Sequence, residues 1–412
     1  MIFNGVKNMF LKTKKPNFLN EPISGFWLGP STVTCSDGTI LLAADCMEKS
    51  DGVKFSALWR SFDNGETWQK QGEFEHCETY DGGMRRDGYG GLYKDPKTGN
   101  VFYFGNEVYW DNDELDSTWR CRKPYYRISD DCGRTWSVKR FMIQSGSDED
   151  GAYDETHFMR GVVFGRNMAT TVVSKAAALS DGSILLGVQR QIPEGAVNAG
   201  PTGMGFLQAG AMKGRWDEKN ARFVWEFGDW VGMPFEITTR GLYEPSLAEL
   251  PNGDVFMLCR GSNYTRSDDI IGCKFYCVSK DGGMHWNESK PLLYDTGDVM
   301  FSSSCSTKLV SHSNGKLYFI GVINDKNPRG NLPRYPLCVA EIDQTTLTVK
   351  KNTVFVIDTK PDDMDDTAGL PVDFSNHWAC EDERTGDLIV MAPFRPDLSR
   401  LDGHLIFYRI SV

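Results

Sequence analysis

The stretch Ser61-Phe62-Asp63-Asn64-Gly65-Glu66-Thr67-Trp68 returns twice along the chain, as Ser129-Asp130-Asp131-Cys132-Gly133-Arg134-Thr135-Trp136 and as Ser279-Lys280-Asp281-Gly282-Gly283-Met284-His285-Trp286. The pattern is that of a folded turn between two strands. Its aspartate can accept hydrogen bonds from turn backbone, its glycine supplies a left-handed conformation, and its tryptophan packs on the turn. The third copy carries His285 where the other two carry threonine. These aspartates are structural by this logic, and none is a catalytic candidate. Each copy runs on from an apolar strand: FSALWRS, YYRIS and KFYCVS.

Outward from these turns, a second unit recurs six times: alternating apolar residues, a turn ending in glycine, then another apolar run. The copies are VTCSDGTILLA, LYKDPKTGNVFYF, ALSDGSILLG, AELPNGDVFML, LVSHSNGKLYFI and CEDERTGDLIV, with turn glycines Gly38, Gly99, Gly182, Gly253, Gly315 and Gly386. Asp-Gly or Asn-Gly between alternating strands is a strong hairpin signal, because glycine tolerates the positive φ of a tight turn. A third strand follows each hairpin, the remaining ones being MGFLQAGAM, YPLCVAEI and LIFYRISV. Successive turn glycines lie 61, 83, 71, 62 and 71 residues apart, room for one four-stranded sheet each. The fold expected is all-β, a six-bladed β-propeller of four-stranded antiparallel blades. It forms one domain over residues 1–412, closed by the N- and C-terminal strands in one blade. No linker or low-complexity segment marks a second domain.

Bulk properties narrow the partners. The chain has 412 residues, 40% hydrophobic and 12% aromatic, ample for a large core. Its net charge is −11 with no basic stripe, which argues against nucleic acid and anionic membrane. The N-terminal stretch MIFNGVKNMFLKTKKPNF is broken by Asn4, Lys7 and Asn8, so it holds no secretory core, and no run is long enough to span a bilayer. The 11 cysteines lack CxxC spacing, and Cys259, Cys277 and Cys338 sit in apolar runs. Buried free thiols in a reducing cytoplasm are expected, unless a leader has been removed. Six histidines without HxxxH spacing, and no phosphate-binding glycine loop, lead to the expectation of no metal and no cofactor. The oligomeric state is not legible.

Strand direction sorts the loops. The glycine hairpins and the Ser-x-Asp turns share one face. The other face gathers first-strand starts (Asp87, Arg166, Glu244, His377), second-strand ends (Asp45, Glu107, Gln189, Arg260) and second-to-third loops (Asp51, Arg334). Ligands bind at such loop-built mouths.

S-x-D-x-G-x-T-W is the Asp box, or bacterial neuraminidase repeat. With three copies and six hairpins, the chain resembles the sialidase superfamily over nearly its whole length. The resemblance implies an active site on the face away from the hairpins. Sialidases hold the sugar carboxylate with three arginines and use an aspartate acid/base and a tyrosine nucleophile activated by glutamate. In GLYEPSLAELPNGDVFMLCRGSN, Glu244 matches the glutamate and Arg260 the second arginine. Arg334 matches the third, with Arg329 as another register, and Asp51 matches the aspartate. Two features are missing. Leu28-Gly29-Pro30 stands where the first arginine's Arg-Ile-Pro is expected, and Phe374 stands where the tyrosine is expected.

The expectation is therefore a sialidase-like glycoside hydrolase acting on a terminal, acidic sugar of an oligosaccharide. Glu244 and Asp51 would handle protons, with His377, or Asp373 before it, replacing the lost tyrosine as a base for water. Arg166, Gln189, Arg260 and Arg334 would bind substrate, since arginine reads carboxylates in bidentate fashion. Two alternatives stand beside it. One is a lyase on uronate chains, with Gln189 or an arginine neutralising the carboxylate and His377 or a tyrosine removing the C5 proton. The other is a non-catalytic propeller that binds glycan or protein.

Overall fold

The computed structural model describes residues 9–412 except 22, 50–51, 81–82, 111–120, 143–174, 193–205, 265–268, 363, 365–371 and 396–402. The strands form six separate antiparallel sheets, five of them each built in chain order from its own stretch of sequence and the sixth shared between the two ends of the chain. The first blade holds Phe26–Thr34, Ile40–Lys49, Gly52–Ser61 and Gln69–His76. The second holds Gly83–Lys94, Val101–Trp110, Cys121–Ser129 and Arg140–Phe141, with Glu78–Tyr80 added beside its first strand. Ala177–Ala178, Ile184–Ile192, Phe206–Asp217 and Arg222–Phe227 make the third. Tyr243–Glu249, Val255–Arg260, Lys274–Ser279 and Lys290–Pro291 make the fourth. The fifth has Lys308–Ser311, Leu317–Val322, Leu337–Asp343 and Thr348–Val349, and Phe355–Asp358 also pairs with its third strand. The sixth joins Trp378–Asp382, Asp387–Phe394 and His404–Ser411 to Phe10–Pro16 from the other end of the chain. This is the six-bladed propeller expected, and Phe10–Pro16 pairs with His404–Ser411 in the closing blade.

Local turn chemistry sets each blade. All six hairpin glycines lie in the left-handed region, with φ between 68° and 85°. In the first Asp box, Asp63 accepts from Ser61 Oγ (2.9 Å) and the Thr67 amide (2.8 Å), while Ser61 Oγ accepts from the Gly65 amide (2.7 Å). Asp131 and Asp281 repeat the pattern. His285 takes over the threonine's part, its Nδ1 lying 2.6 Å from Asp281 Oδ2. Hydrogen bonds to the ionised form hold Asp63 and Asp131 down at about 2. The three aspartates are turn-builders, as their sequence pattern implied.

Packing between blades is apolar: among the described residues each of the six seams has its own patch, and a smaller seventh gathers Phe26, Leu28, Met47 and Val53. Examples are Trp27, Trp59, Met391 and Phe407 where the last blade meets the first, and Phe104, Tyr126, Leu186 and Trp225 between the second and third. Each fully buried side chain of this size contributes roughly 1.5–3 kcal/mol. Three seams carry a polar latch as well. A hairpin aspartate, a basic residue on the third strand and the Asp box of the next blade meet there. Arg409 donates to Asp382 Oδ2 (2.6 Å) and to the Asn64 carbonyl (3.0 Å). Arg60 donates to the Cys132 carbonyl and to Thr39 Oγ1 (2.6 Å), beside Asp37. Lys213 donates to Asp181 Oδ2 (2.9 Å) and lies against Gly282. Close approach explains the box glycine: a Cβ on Gly133 would fall 2.4 Å from Leu41 Cδ2 of the preceding blade.

Candidate functional site

The face away from the hairpins is shaped by irregular starts to the inner strands. The register slips between Leu28 and Ser31, between Gly88 and Gly91, and between Tyr243 and Ser246. A left-handed residue stands in each slip: Gly29 (φ 56°), Tyr89 (φ 55°) and Glu244 (φ 47°). A bulge of this kind re-aims one side chain out of the pleat. For glutamate that conformation is costly, and such strain collects at functional positions.

The Glu244 bulge turns its carboxylate toward the end of the neighbouring strand. Arg260 Nη1 donates to Glu244 Oε1 at 2.7 Å, Arg260 Nη2 to Asn331 Oδ1 at 2.8 Å and Arg260 Nε to Ser304 Oγ at 3.1 Å. Its guanidinium lies over the Tyr243 ring, 4.6 Å from the centroid, and the Tyr243 hydroxyl meets Ser304 Oγ at 2.6 Å. Burial works against the Glu244 charge, but Arg260 first, then Lys308 and Arg240, outweigh it and hold the carboxyl below its ordinary range. Glu244 Oε2 is buried and has no hydrogen-bond partner among the described residues.

Arg334 arrives from the long loop between the second and third strands of the fifth blade. Its Nη1 donates to Asp373 Oδ2 and Ser375 Oγ, both at 2.8 Å, and its Nε to the Asn331 carbonyl at 3.3 Å. Asp373 is fully buried, and the arginine keeps it ionised against that burial. Arg260 and Arg334 thus converge on one residue, Asn331, each balanced by one carboxylate. No hydrogen bond among the described residues engages Arg334 Nη2.

The first two blades offer acid instead. Asp45 is buried, accepts from Ser56 Oγ and the Tyr89 amide (2.8 Å), and is pushed up to about 7, chiefly by burial and then by nearby Asp87. Asp87, pushed up to about 6 by burial, contacts Lys139 and Arg85 (3.1 Å), and Glu107 joins them through Lys139 at 2.9 Å. The arginine side and the acid side occupy different blades of the same face.

The seven sequence candidates therefore part company. Glu244, Arg260 and Arg334 come together. Gln189 is buried and its Oε1 accepts from the Glu244 amide at 2.9 Å, so it holds the bulge in place. His377 is fully buried, its Nε2 lies 3.0 Å from the Ile320 carbonyl of the adjacent blade, and burial pushes its pKa down to about 3. It belongs to the wall between blades. Phe374, at the position expected of a tyrosine, is also fully buried and packs on Phe394. Asp51 and Arg166 lie outside the described residues. Tyr243, Asn331, Ser304 and Asp45 were not singled out as site residues from sequence. The signal for Tyr243 was adjacency to Glu244, and that for Asp45 was an acid ending a long apolar strand.

A second opening lies at the hairpin end of the axis, a cavity of about 370 Å³ lined by inner-strand residues of all six blades, including Thr32, Lys94, Lys175, Glu249, Ser311 and Cys380.

A solved structure from Dyadobacter fermentans DSM 18053, described as of unknown function, superposes with a TM-score of 0.66 at 14% identity, covering 99% of this chain and 100% of its own. A Hadza microbial sialidase gives 0.61 at 14% identity over 94% of this chain, and Trypanosoma rangeli sialidase with the inhibitor DANA gives 0.59 at 14% over 94%. This chain spans 66% and 55% of those two sialidase chains. At such identity the likeness is one of fold. No curated protein sequence matches the chain. A family profile described as BNR repeat-like domain matches residues 38–363, a span that contains all three Asp boxes and five of the six hairpin glycines. On that match the chain belongs to the BNR repeat-like domain family, and it has the six-bladed propeller fold seen in sialidases.

Proposed function

We propose that this protein is a sialidase-like glycoside hydrolase that removes a terminal acidic sugar from an oligosaccharide by carboxyl acid/base catalysis. One observation carries the reading: among the described residues, Glu244 Oε2, an acceptor, and Arg334 Nη2, a donor, are left unbonded in the network around Arg260. An acidic sugar would bring a carboxylate for the arginines, and a hydroxyl or water for the glutamate. Glu244 stays ionised beside Arg260, which suits the base role; Asp51 takes the acid role in this scheme. With Phe374 buried, water is the nucleophile. A uronate lyase draws less support, because Gln189 and His377 are both committed to structural bonds, which leaves that reading only its arginine and tyrosine alternatives.

The test is a panel of sialosides, uronate-terminated and neutral oligosaccharides, read by chromatography of the released sugar and by ultraviolet absorbance. Release of a free acidic sugar without the unsaturated-uronate band is expected. Binding without turnover that persists unchanged in Glu244→Gln would make the protein a glycan-binding propeller instead.

A further inference from the structure

The three latched seams are internal copies of one another, so departures from the shared pattern stand out. At the seam between the third and fourth blades, Leu179 opens the hairpin and Gly282 stands between the aspartate and glycine of the Asp box. The corresponding residues between the first and second blades are Cys35 and Cys132. Cys35 opens its hairpin through the same amide bond, Cys35 N to the Thr39 carbonyl at 2.8 Å, as Leu179 N makes to Ser183 at 2.8 Å. Cys132 has φ 62° at a place where the other boxes use Asn64 (63°) and Gly282 (73°), residues better suited to that conformation. The two sulfurs lie within 4.8 Å of each other, and Cys35 Sγ is 3.6 Å from the Cys132 carbonyl oxygen. Cys35 is buried and Cys132 is half-buried, so Cys132 is the more exposed of the pair.

We propose that Cys35 and Cys132 are an inter-blade disulfide site, closed by thiol–disulfide exchange with a low-molecular-weight disulfide. The Cys132 thiolate attacks one sulfur of the oxidant, forming a mixed disulfide and releasing the first small thiolate. The Cys35 thiolate then attacks the Cys132 sulfur and releases the second. The protein loses two protons and two electrons, and the oxidant becomes two thiols. The sulfurs must close from 4.8 Å or less to the roughly 2.05 Å of a disulfide. The bond would bridge residues 97 positions apart and staple two adjacent blades across their seam.

Asp37 lies within the same 4.8 Å, which raises the question of a metal. Its carboxylate is already bonded to Thr39 (2.6 Å) and to Arg134 (2.8 Å), and Arg60 stands beside it. Arg60 and Arg134 around Asp37 oppose a cation, so covalent closure is the better fit; burial, then Cys132, push the Cys35 thiol up to about 11, so its attack is the slower exchange step.

The repeats supply fold-preserving controls: Cys132→Asn copies the first Asp box and Cys35→Leu copies the third hairpin. The full chain is incubated with oxidised glutathione, alkylated and digested without reductant. A Cys35–Cys132 cross-linked peptide is expected, with a Tm about 5 °C above the reduced protein. Dithiothreitol should reverse both, and neither should appear in Cys132→Asn or Cys35→Leu. The proposal is overturned if Cys132 stops at the glutathione adduct while Cys35 stays reduced. It is equally overturned if zinc alone protects both thiols and oxidised glutathione does not join them.

Discussion

Arg260 and Glu244 sit at the same end of one blade's two inner strands, joined by a 2.7 Å ion pair that leaves the second glutamate oxygen unbonded. The pair exists because a bulge at Glu244-Pro245 breaks the register between Tyr243 and Ser246. Glu244→Gln keeps the shape and removes the charge. Turnover on the acidic glycoside should fall ~100- to 10,000-fold with an unchanged circular dichroism spectrum. Loss of less than tenfold would remove Glu244 from proton transfer.

Arg334 tests the anionic ligand. Its Nε and Nη1 hold the loop, and its Nη2 is open. Arg334→Ala should raise KM for acidic sugars by roughly 10- to 100-fold, the range expected for losing a charge-assisted bond. Arg334→Lys should not restore it, since lysine has no fork to span both Asp373 and the ligand. An equal rise on neutral sugars would count against an acidic substrate.

The buried acids predict a pH slope. Asp45 and Asp87 have folded values of about 7 and about 6 against an ordinary 3.8. Both are raised, so the folded protein holds protons that the unfolded chain releases. Their contribution is fully present below about pH 4 and is lost as pH climbs through about 6 to 7. Asp45→Asn should flatten the decline of Tm measured from pH 4 to 7.5. An unchanged slope would show that Asp45 is ionised throughout.

The Asp boxes predict the opposite limb. Asp63 and Asp131 are lowered to about 2, so their stabilisation is present above about pH 4 and disappears as pH falls toward 2. Asp131→Ala removes the bonds to Ser129, Gly133's partner, and Thr135. It should cost about 1–3 kcal/mol at pH 7 in denaturant titrations and less at pH 2.

Ring closure can be tested by removing Phe10–Pro16, which pairs with His404–Ser411 and sends Lys12 to Asp387 at 2.6 Å. Deletion should lower Tm by ~5 °C or more and expose an edge that associates on size-exclusion chromatography. A monomer of unaltered stability would mean that the last blade holds with three strands.

Much of the fold was legible because its signals are local. Gly38 and its five counterparts announce their hairpins within four residues, and Ser61, Asp63, Gly65 and Thr67 satisfy one another within a single turn. The site was legible only in part. Glu244, Arg260 and Arg334 could be placed on one face together because strand direction alone sorts the loops. Gln189 and His377 were placed on that face too, but their bonds run to Glu244 and Ile320, 55 and 57 residues away. No local pattern reports such a bond. Tyr243 went unremarked because its partners, Ser304 and the Arg260 guanidinium, come from another blade and another strand.

By itself, then, the sequence determined the blade count, the turns and the sorting of loops onto two faces, since these follow from strand periodicity and from residues that tolerate particular backbone angles. Tertiary structure alone decided which polar side chains are spent and which are left open. Closing the ring desolvates all of them together, and each keeps its charge or loses it according to the neighbour that another blade brings. That is why Asp63, in a turn, was readable as structural, while Gln189 and Glu244, read as two separate site residues, prove to be a support and the group it holds.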